Sequence, residues 1–289
     1  MYKGFLYLLL MMSFVLSCSS EKQKEVQAPP TSAKETTFTS KLEIQPSQAT
    51  REATFYISSK GLDLAKAKLQ WYVNGKPVEG AITAQFKPSE IKKGDSVQVK
   101  AVISDQEVAS NQITIKNIPP AIIRAKIEPT VPKVNDTLKI DVIGNDRDGD
   151  KVAFKYEWLR NDKPSGGGLS LSDIFNRGDK VSVKIIPFDG EEYGQPITLT
   201  TNIYNSPPKP LASSIEKFEN NVYYYQVKAT DPDGDTLTYN LKQAPKGMVI
   251  DKTSGLITWS VAEKDSGRHL VTVEITDGHG GNVLYNFDV

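Results

Sequence analysis

Read for apolar spacing, the chain divides into stretches of different character. Phe5 to Leu16 is a nearly unbroken apolar run behind Lys3, Ser19 to Ser40 holds almost nothing apolar beyond Val26 and Phe38, and from Leu42 onward short runs alternate apolar and polar residues. Alternation with period two predicts strands with one face in a core and the other in water. The last two runs carry it most plainly: Val271, Val273 and Ile275 alternate with Thr272, Glu274 and Thr276, and Val283, Tyr285, Phe287 and Val289 alternate with Asn282, Asn286 and Asp288. Between them Asp277-Gly278-His279-Gly280-Gly281 supplies residues that tolerate positive φ, which a tight hairpin needs. Helical periodicity over a window of about eleven residues is missing, so the predicted class is all-β.

An internal repeat sets the domain organisation. Trp71 is followed by Lys76-Pro77 as Trp158 is by Lys163-Pro164, and Gly94-Asp95-Ser96-Val97 with Asp105 matches Gly178-Asp179-Lys180-Val181 with Asp189 at the same spacing. Each copy ends in a similar phrase, Asn117-Ile118-Pro119-Pro120 and Asn205-Ser206-Pro207-Pro208. Consecutive prolines lack ladder donors and stiffen a junction, so these phrases read as interdomain linkers. They divide the chain into domains at 41–118, 119–207 and 208–289, each large enough for a two-sheet sandwich to hold a core without disulfides. Gly166-Gly167-Gly168 lacks the ending of a phosphate-binding loop and reads as a hairpin tip.

At the N-terminus the apolar run is shorter than the roughly 20 residues a membrane-spanning helix needs and suits a signal peptide. Val15-Leu16-Ser17-Cys18 resembles the lipobox of bacterial lipoproteins. The resemblance implies a signal peptide at 1–17, removal of which leaves Cys18 as the lipidated N-terminus and attaches the chain to a membrane. Cys18 is the single cysteine. With Ser19 following it, the family's sorting pattern implies the outer membrane or cell surface, if the host has an outer membrane. Residues 18–40 then form a flexible tether, because their composition buries too little surface to offset ordering; about twenty residues of coil reach roughly 25 Å.

Trp71 and Trp158, in mid-strand, resemble the buried tryptophan of immunoglobulin-like domains. The third domain carries Ala229-Thr-Asp-Pro-Asp-Gly-Asp-Thr-Leu-Thr-Tyr239, Ala244-Pro-Lys-Gly-Met248, Asp251-Lys-Thr-Ser-Gly-Leu-Ile-Thr-Trp259 and His269-Leu-Val-Thr-Val-Glu-Ile-Thr-Asp-Gly278. Together these resemble the Putative-Ig, cadherin-like (dystroglycan-type) repeats of bacterial surface proteins. The expected architecture is three tandem immunoglobulin-like β-sandwich domains after a signal peptide and a disordered tether.

Two loops are the candidate chemistry: Asp146, Asp148 and Asp150 in the second domain, and Asp231, Asp233 and Asp235 in the third. The first domain keeps only Asp63 in the corresponding region. Carboxylates at alternate positions around a glycine can converge on a hard cation, and Ca²⁺ takes six to eight oxygens. The loops are not EF-hands, since Lys151 or Thr236 stands where that loop needs glycine, so a further carboxylate such as Asp189 or Asp277 has to contribute. The alternative is a solvated turn whose Asp side chains accept local backbone N–H groups. Resemblance to cadherins implies calcium at domain junctions, though these linkers keep only the Asn-x-Pro part of that family's linker.

Charge and composition then exclude other classes. Lys plus Arg equals Asp plus Glu at 35 each, so there is no basic field for nucleic acid. The two histidines have no zinc-site spacing, and no GxSxG elbow is present. Tyr223-Tyr224-Tyr225 offers an aromatic platform for a glycan, or one core face and one surface face of a strand. The expected function is a non-catalytic, lipid-anchored cell-envelope module for binding, adhesion or spacing, with an envelope or extracellular protein as partner. A carbohydrate-binding surface module is the alternative, and a cryptic hydrolase the remote one.

Overall fold

The computed structural model describes residues 40–212 and 216–289. The expected signal peptide, the lipidated Cys18 and the tether up to residue 39 lie outside the described residues. Ser40–Val289 form one compact unit, built from strands and two short 3-10 turns, with no α-helix among the described residues. None of the described residues forms a helix long and apolar enough to cross a membrane.

Three separate cores lie along this unit, and each is organised around one strand whose inward positions are fully dry. Val97, Val99 and Ala101 of strand Ser96–Ile103, Val181, Val183 and Ile185 of Lys180–Phe188, and Val271, Val273 and Ile275 of Leu270–Thr276 all have zero exposure. Period-two alternation of apolar residues, all but Ala101 β-branched, produces this directly, each Val or Ile side chain contributing about 1.5–3 kcal/mol by leaving water.

In the first domain one sheet joins Lys41–Gln45, Phe55–Lys60 and Gln85–Phe86, and the facing sheet centres on Ser96–Ile103 beside Lys68–Val73. The second domain repeats the plan, with Ala121–Glu128, Leu138–Asn145 and Ser170–Leu171 facing a sheet that centres on Ala153–Arg160 and Lys180–Phe188. In the third, Thr238–Gln243, Leu270–Thr276 and Asn282–Asp288 face the sheet holding Val222–Gln226 and Leu256–Ser260. The terminal hairpin pairs Thr276 with Asn282 around Asp277–Gly281.

The repeated tryptophans occupy the same slot. Trp71 lies opposite Val99 and Trp158 opposite Val183; the third domain places Leu241 opposite Val273 there, and its tryptophan, Trp259, enters from the other sheet. All three indoles are buried. Burying an indole strands its N–H unless an acceptor is supplied, and each finds a main-chain carbonyl: Thr83 at 2.8 Å, Gly168 at 2.8 Å and Lys246 at 3.2 Å.

Gly166-Gly167-Gly168 is not a hairpin tip. The tip is Asn161-Asp162, both at positive φ (49° and 63°), and Gly166 sits in strand Lys163–Gly166 opposite Trp158. The Asn-Asp pair adopts the left-handed conformation a tight turn requires, while the glycines let the return strand pass close beneath the indole. A Cβ at Gly166 would come within 3.1 Å of Leu171.

Candidate interdomain junction site

The two Pro-Pro linkers lie at the centre of two networks built alike, from three parts each. The first part is a tight turn at the end of the preceding domain. Asp95 N–H bonds back to the Lys92 carbonyl (3.1 Å), Gly94 supplies φ of 86°, and the Asp95 carboxylate accepts the Lys92 N–H (2.7 Å). Asp179 does the same with Asn176, around Gly178 at φ of 87°. Asn74 and Asn161 donate to the same carboxylates at 2.7 Å. For Asp95 the Asn74 amide and then the Lys92 N–H hold the carboxyl below its ordinary range. Gly94 and Gly178 N–H groups bond to Ile115 and Ile203, two residues before the linker asparagines. Each turn thereby fixes one basic residue, Lys93 or Arg177, beside the linker.

The second part is the aspartate-rich loop of the following domain. Asp146 Oδ1 accepts the N–H groups of Asp148 (2.8 Å) and Asp150 (3.2 Å), and Asp231 Oδ1 those of Asp233 (2.8 Å) and Asp235 (3.3 Å). The loops are therefore side-chain-capped turns. They are also more than that: Asp148 Oδ2 accepts the Ile118 N–H at 2.6 Å and Asp233 Oδ2 the Ser206 N–H at 2.6 Å, so each loop holds the linker backbone. Asp146 Oδ2, Asp148 Oδ1, Asp231 Oδ2 and Asp233 Oδ1 are buried and receive no hydrogen bond, and Asp146 as a whole is 7% exposed. Buried carboxylate oxygens without donors are costly, and the same pair of atoms is left open in both loops. Asp231, Asp233 and Asp235 each bring one oxygen within 4.8 Å of the others, a spacing that suits a metal ion, whereas Asp146, Asp148 and Asp150 do not converge as closely.

The third part is the last hairpin of the following domain. Asp189 Oδ1 accepts the Glu191 and Glu192 N–H groups, both at 2.7 Å, and Asp277 Oδ1 those of His279 (2.7 Å) and Gly281 (2.9 Å). Their other oxygens accept the amides of Asn117 and Asn205, both at 2.7 Å. Burial pushes both carboxyls up, but the linker amide and the hairpin N–H groups outweigh it and keep them below the ordinary range. The fit leaves no space for a side chain: a Cβ at Gly194 would sit 1.7 Å from the Pro120 carbonyl oxygen, and one at Gly281 within 2.9 Å of Pro207 Cα.

The basic residue of the first part closes each network. Lys93 Nζ meets Asp150 (2.5 Å), Asn117 Oδ1 (3.0 Å) and Glu191 (3.1 Å), while Arg177 pairs with both carboxylate oxygens of Asp235 and donates to Asn205 Oδ1 at 2.8 Å. His279 Nε2 is 3.5 Å from Asp235. At the first junction Arg147 adds a contact to Glu52 (2.8 Å), and its carbonyl accepts from Arg51 (3.1 Å).

Sequence reasoning singled out the six loop aspartates, with Asp189 and Asp277 as candidate helpers. The structure brings each trio to the linker, engages the third aspartate with a basic residue from the preceding domain, and sets Asp189 or Asp277 on the linker asparagine. Sequence reasoning missed Lys93 and Arg177, although the repeat aligns them immediately before Gly94-Asp95 and Gly178-Asp179. The Tyr223–Tyr225 strand sends Tyr223 and Tyr225 into the third core, where Tyr225 stacks on Phe287 at 4.1 Å and meets the Tyr285 hydroxyl at 3.0 Å; Tyr224, on the other face, is half-buried.

Residues 193–289 match the family model described as Putative Ig domain. Among solved structures, the three N-terminal domains of the bacteriophage RB49 Highly Immunogenic Outer Capsid protein share 15% identity, over 86% of this chain and 96% of theirs, with a TM-score of 0.32. The N-terminal eight Ig domains of Down Syndrome Cell Adhesion Molecule share 10% identity, over 86% of this chain and 36% of that one, at a TM-score of 0.41. Fibronectin(III)-like modules of Clostridium thermocellum CbhA share 17%, over 56% and 94%, at 0.24. No curated protein sequence matches the chain. The described residues fold as three β-sandwiches in tandem, and the match to the Putative Ig domain model covers the last of them.

Proposed function

We propose that this protein is a non-catalytic binding or adhesion module of the cell envelope, anchored through lipid on Cys18, with calcium bound at the two aspartate loops. One observation carries the reading: both linkers are clasped by the same carboxylate, amide and backbone contacts, which hold one sandwich against the next. A protein that presents a surface at a distance needs defined junctions, since freely jointed domains place a binding face poorly.

Calcium is supported by charge and by the open oxygens. The first junction gathers Asp146, Asp148, Asp150, Asp189, Glu191 and Glu192 about Lys93, and the second gathers Asp231, Asp233, Asp235 and Asp277 about Arg177. Carboxylates outnumber basic groups in each set even with Arg147 counted at the first junction and His279 at the second, and carboxylates crowded without compensation repel one another. Asp146 Oδ2 with Asp148 Oδ1, and Asp231 Oδ2 with Asp233 Oδ1, are the oxygens a hard cation would take.

The binding reading is tested by crosslinking intact cells that carry the full chain and retrieving it under denaturing conditions. The expected result is a discrete envelope or extracellular protein, crosslinked to exposed residues of the sandwiches and absent when the described domains are deleted and only the anchor and tether remain. Equal recovery with the anchor and tether alone would overturn the proposal.

A further inference from the structure

We propose that Lys93 and Arg177 are tethered cations which lock each domain onto the next without a metal ion. This goes beyond the calcium reading, because it concerns the third aspartate of each loop, whereas the oxygens left open belong to the first two.

The geometry is that of a built-in clamp. Each basic residue stands at the tip of a turn closed by a main-chain bond, a carboxylate-to-backbone bond and a glycine at positive φ, so its Cα has little freedom. From there it spans three elements: its own domain, the linker asparagine through Oδ1, and the following domain through Asp150 or Asp235. The linker asparagine is polarised from both sides, since its carbonyl accepts from the basic residue while its amide donates to Asp189 or Asp277. Charge-assisted bonds of this kind strengthen one another when chained, and a preorganised partner loses little entropy on pairing.

The two halves also occur together. The acidic trio is present in the second and third domains, each of which follows a domain bearing the basic turn. One junction uses lysine and the other arginine, so the shared requirement is a positive charge at the tip. Arg177 makes a two-pronged pairing with Asp235, whereas Lys93 acts as a point charge shared among Asp150, Asn117 and Glu191.

The test is the distance between two spin labels, at Lys60→Cys in the first domain and Lys184→Cys in the second, measured by pulsed electron resonance on the Ser40–Val289 unit. This unit lacks Cys18, the chain's only native cysteine. Measurements are made in chelator and again with calcium. With Lys93 intact, one narrow distance is expected in chelator. Lys93→Met should lose it in favour of a broad spread, Lys93→Arg should restore it, and Asp150→Asn should broaden it from the other side. Trp71 and Trp158 fluorescence confirms that both sandwiches remain folded. A narrow distance retained by Lys93→Met in chelator would overturn the proposal. So would a native junction that is broad in chelator and narrows only with calcium, a result that would leave the calcium reading standing.

Discussion

Replacing Asp277 with alanine should unfold the third domain far more readily than replacing Asp251, although both carboxylates accept backbone N–H groups. Asp277 is 3% exposed and accepts three donors, the Asn205 amide and the His279 and Gly281 N–H groups, at 2.7, 2.7 and 2.9 Å. Asp251 accepts the Thr253 and Ser254 N–H groups at 3.0 and 2.7 Å, but it is exposed. A hydrogen bond to a charged group contributes about 1.5–3 kcal/mol, and a buried donor left unpaired adds its desolvation cost. Three part-buried donors converge on Asp277 where two exposed ones meet Asp251, so Asp277→Ala should cost about 3–5 kcal/mol, while water replaces the lost partner at Asp251 and holds the cost near 1 kcal/mol. At about 4–8 °C per kcal/mol for a domain of this size, the third transition should fall by upwards of ~12 °C in the first variant and by only ~4–8 °C in the second. Thermal unfolding by scanning calorimetry, with the transition that moves between the variants assigned to the third core, reads this. Equal shifts for the two variants, or a loss under about 1 kcal/mol for Asp277→Ala, would refute the claim that burial at the junction sets the magnitude.

Other predictions bear on the same networks. Gly194→Ala should push the hairpin off the linker, because the clash is with the Pro120 backbone and cannot be relieved by a rotamer change; a loss of about 3 kcal/mol or more in the second domain is expected, measured by urea unfolding. Asp189 and Asp277 have carboxyls held below their ordinary value, so their contribution is fully present above the unfolded value near pH 4 and is lost as pH falls through the folded one. Stability should therefore drop on acidification below about pH 4, and Asp189→Asn with Asp277→Asn should flatten that acid limb in melts taken from pH 6 to pH 2.5.

Much of this architecture is legible in the residues, for identifiable reasons. Strands with one buried face announce themselves by period two, and the terminal hairpin could be read down to its Asp277–Gly281 turn because β-branched residues and glycines leave few alternatives. The tryptophan repeat places equivalent core strands in the first two domains from their spacing alone. Gly166-Gly167-Gly168 misled because glycine serves equally at a turn and beneath a bulky neighbour; the neighbour, Trp158, lies on the paired strand. Tyr223 and Tyr225 likewise share a face in any strand, but only the position of Phe287 and Tyr285, some sixty residues on, decides that this face is the core.

The junction was half legible. Repetition of the aspartate trios marked them as chemistry, and local spacing explains why Asp146 and Asp231 cap their own turns. The partners of Asp148, Asp150, Asp233 and Asp235 lie across a linker in the chain or in another domain, at separations from 27 to 58 residues. No local pattern reports such a contact. Its trace is the repeat alignment, which sets Lys93 and Arg177 in one column immediately ahead of Gly-Asp.

The most direct test of the account is calorimetric titration of the Ser40–Val289 unit with Ca²⁺, beside a variant carrying Asp148→Ala and Asp233→Ala, followed by melting of both with calcium and with chelator. A ligand confined to the folded state stabilises by RT ln(1 + [L]/Kd), about 2.7 kcal/mol at a hundredfold excess over Kd. The account predicts two binding events and a raised melting point in the native chain, both lost in the variant. No heat and no shift in the native chain, or a response that survives in the variant, would contradict calcium at these loops.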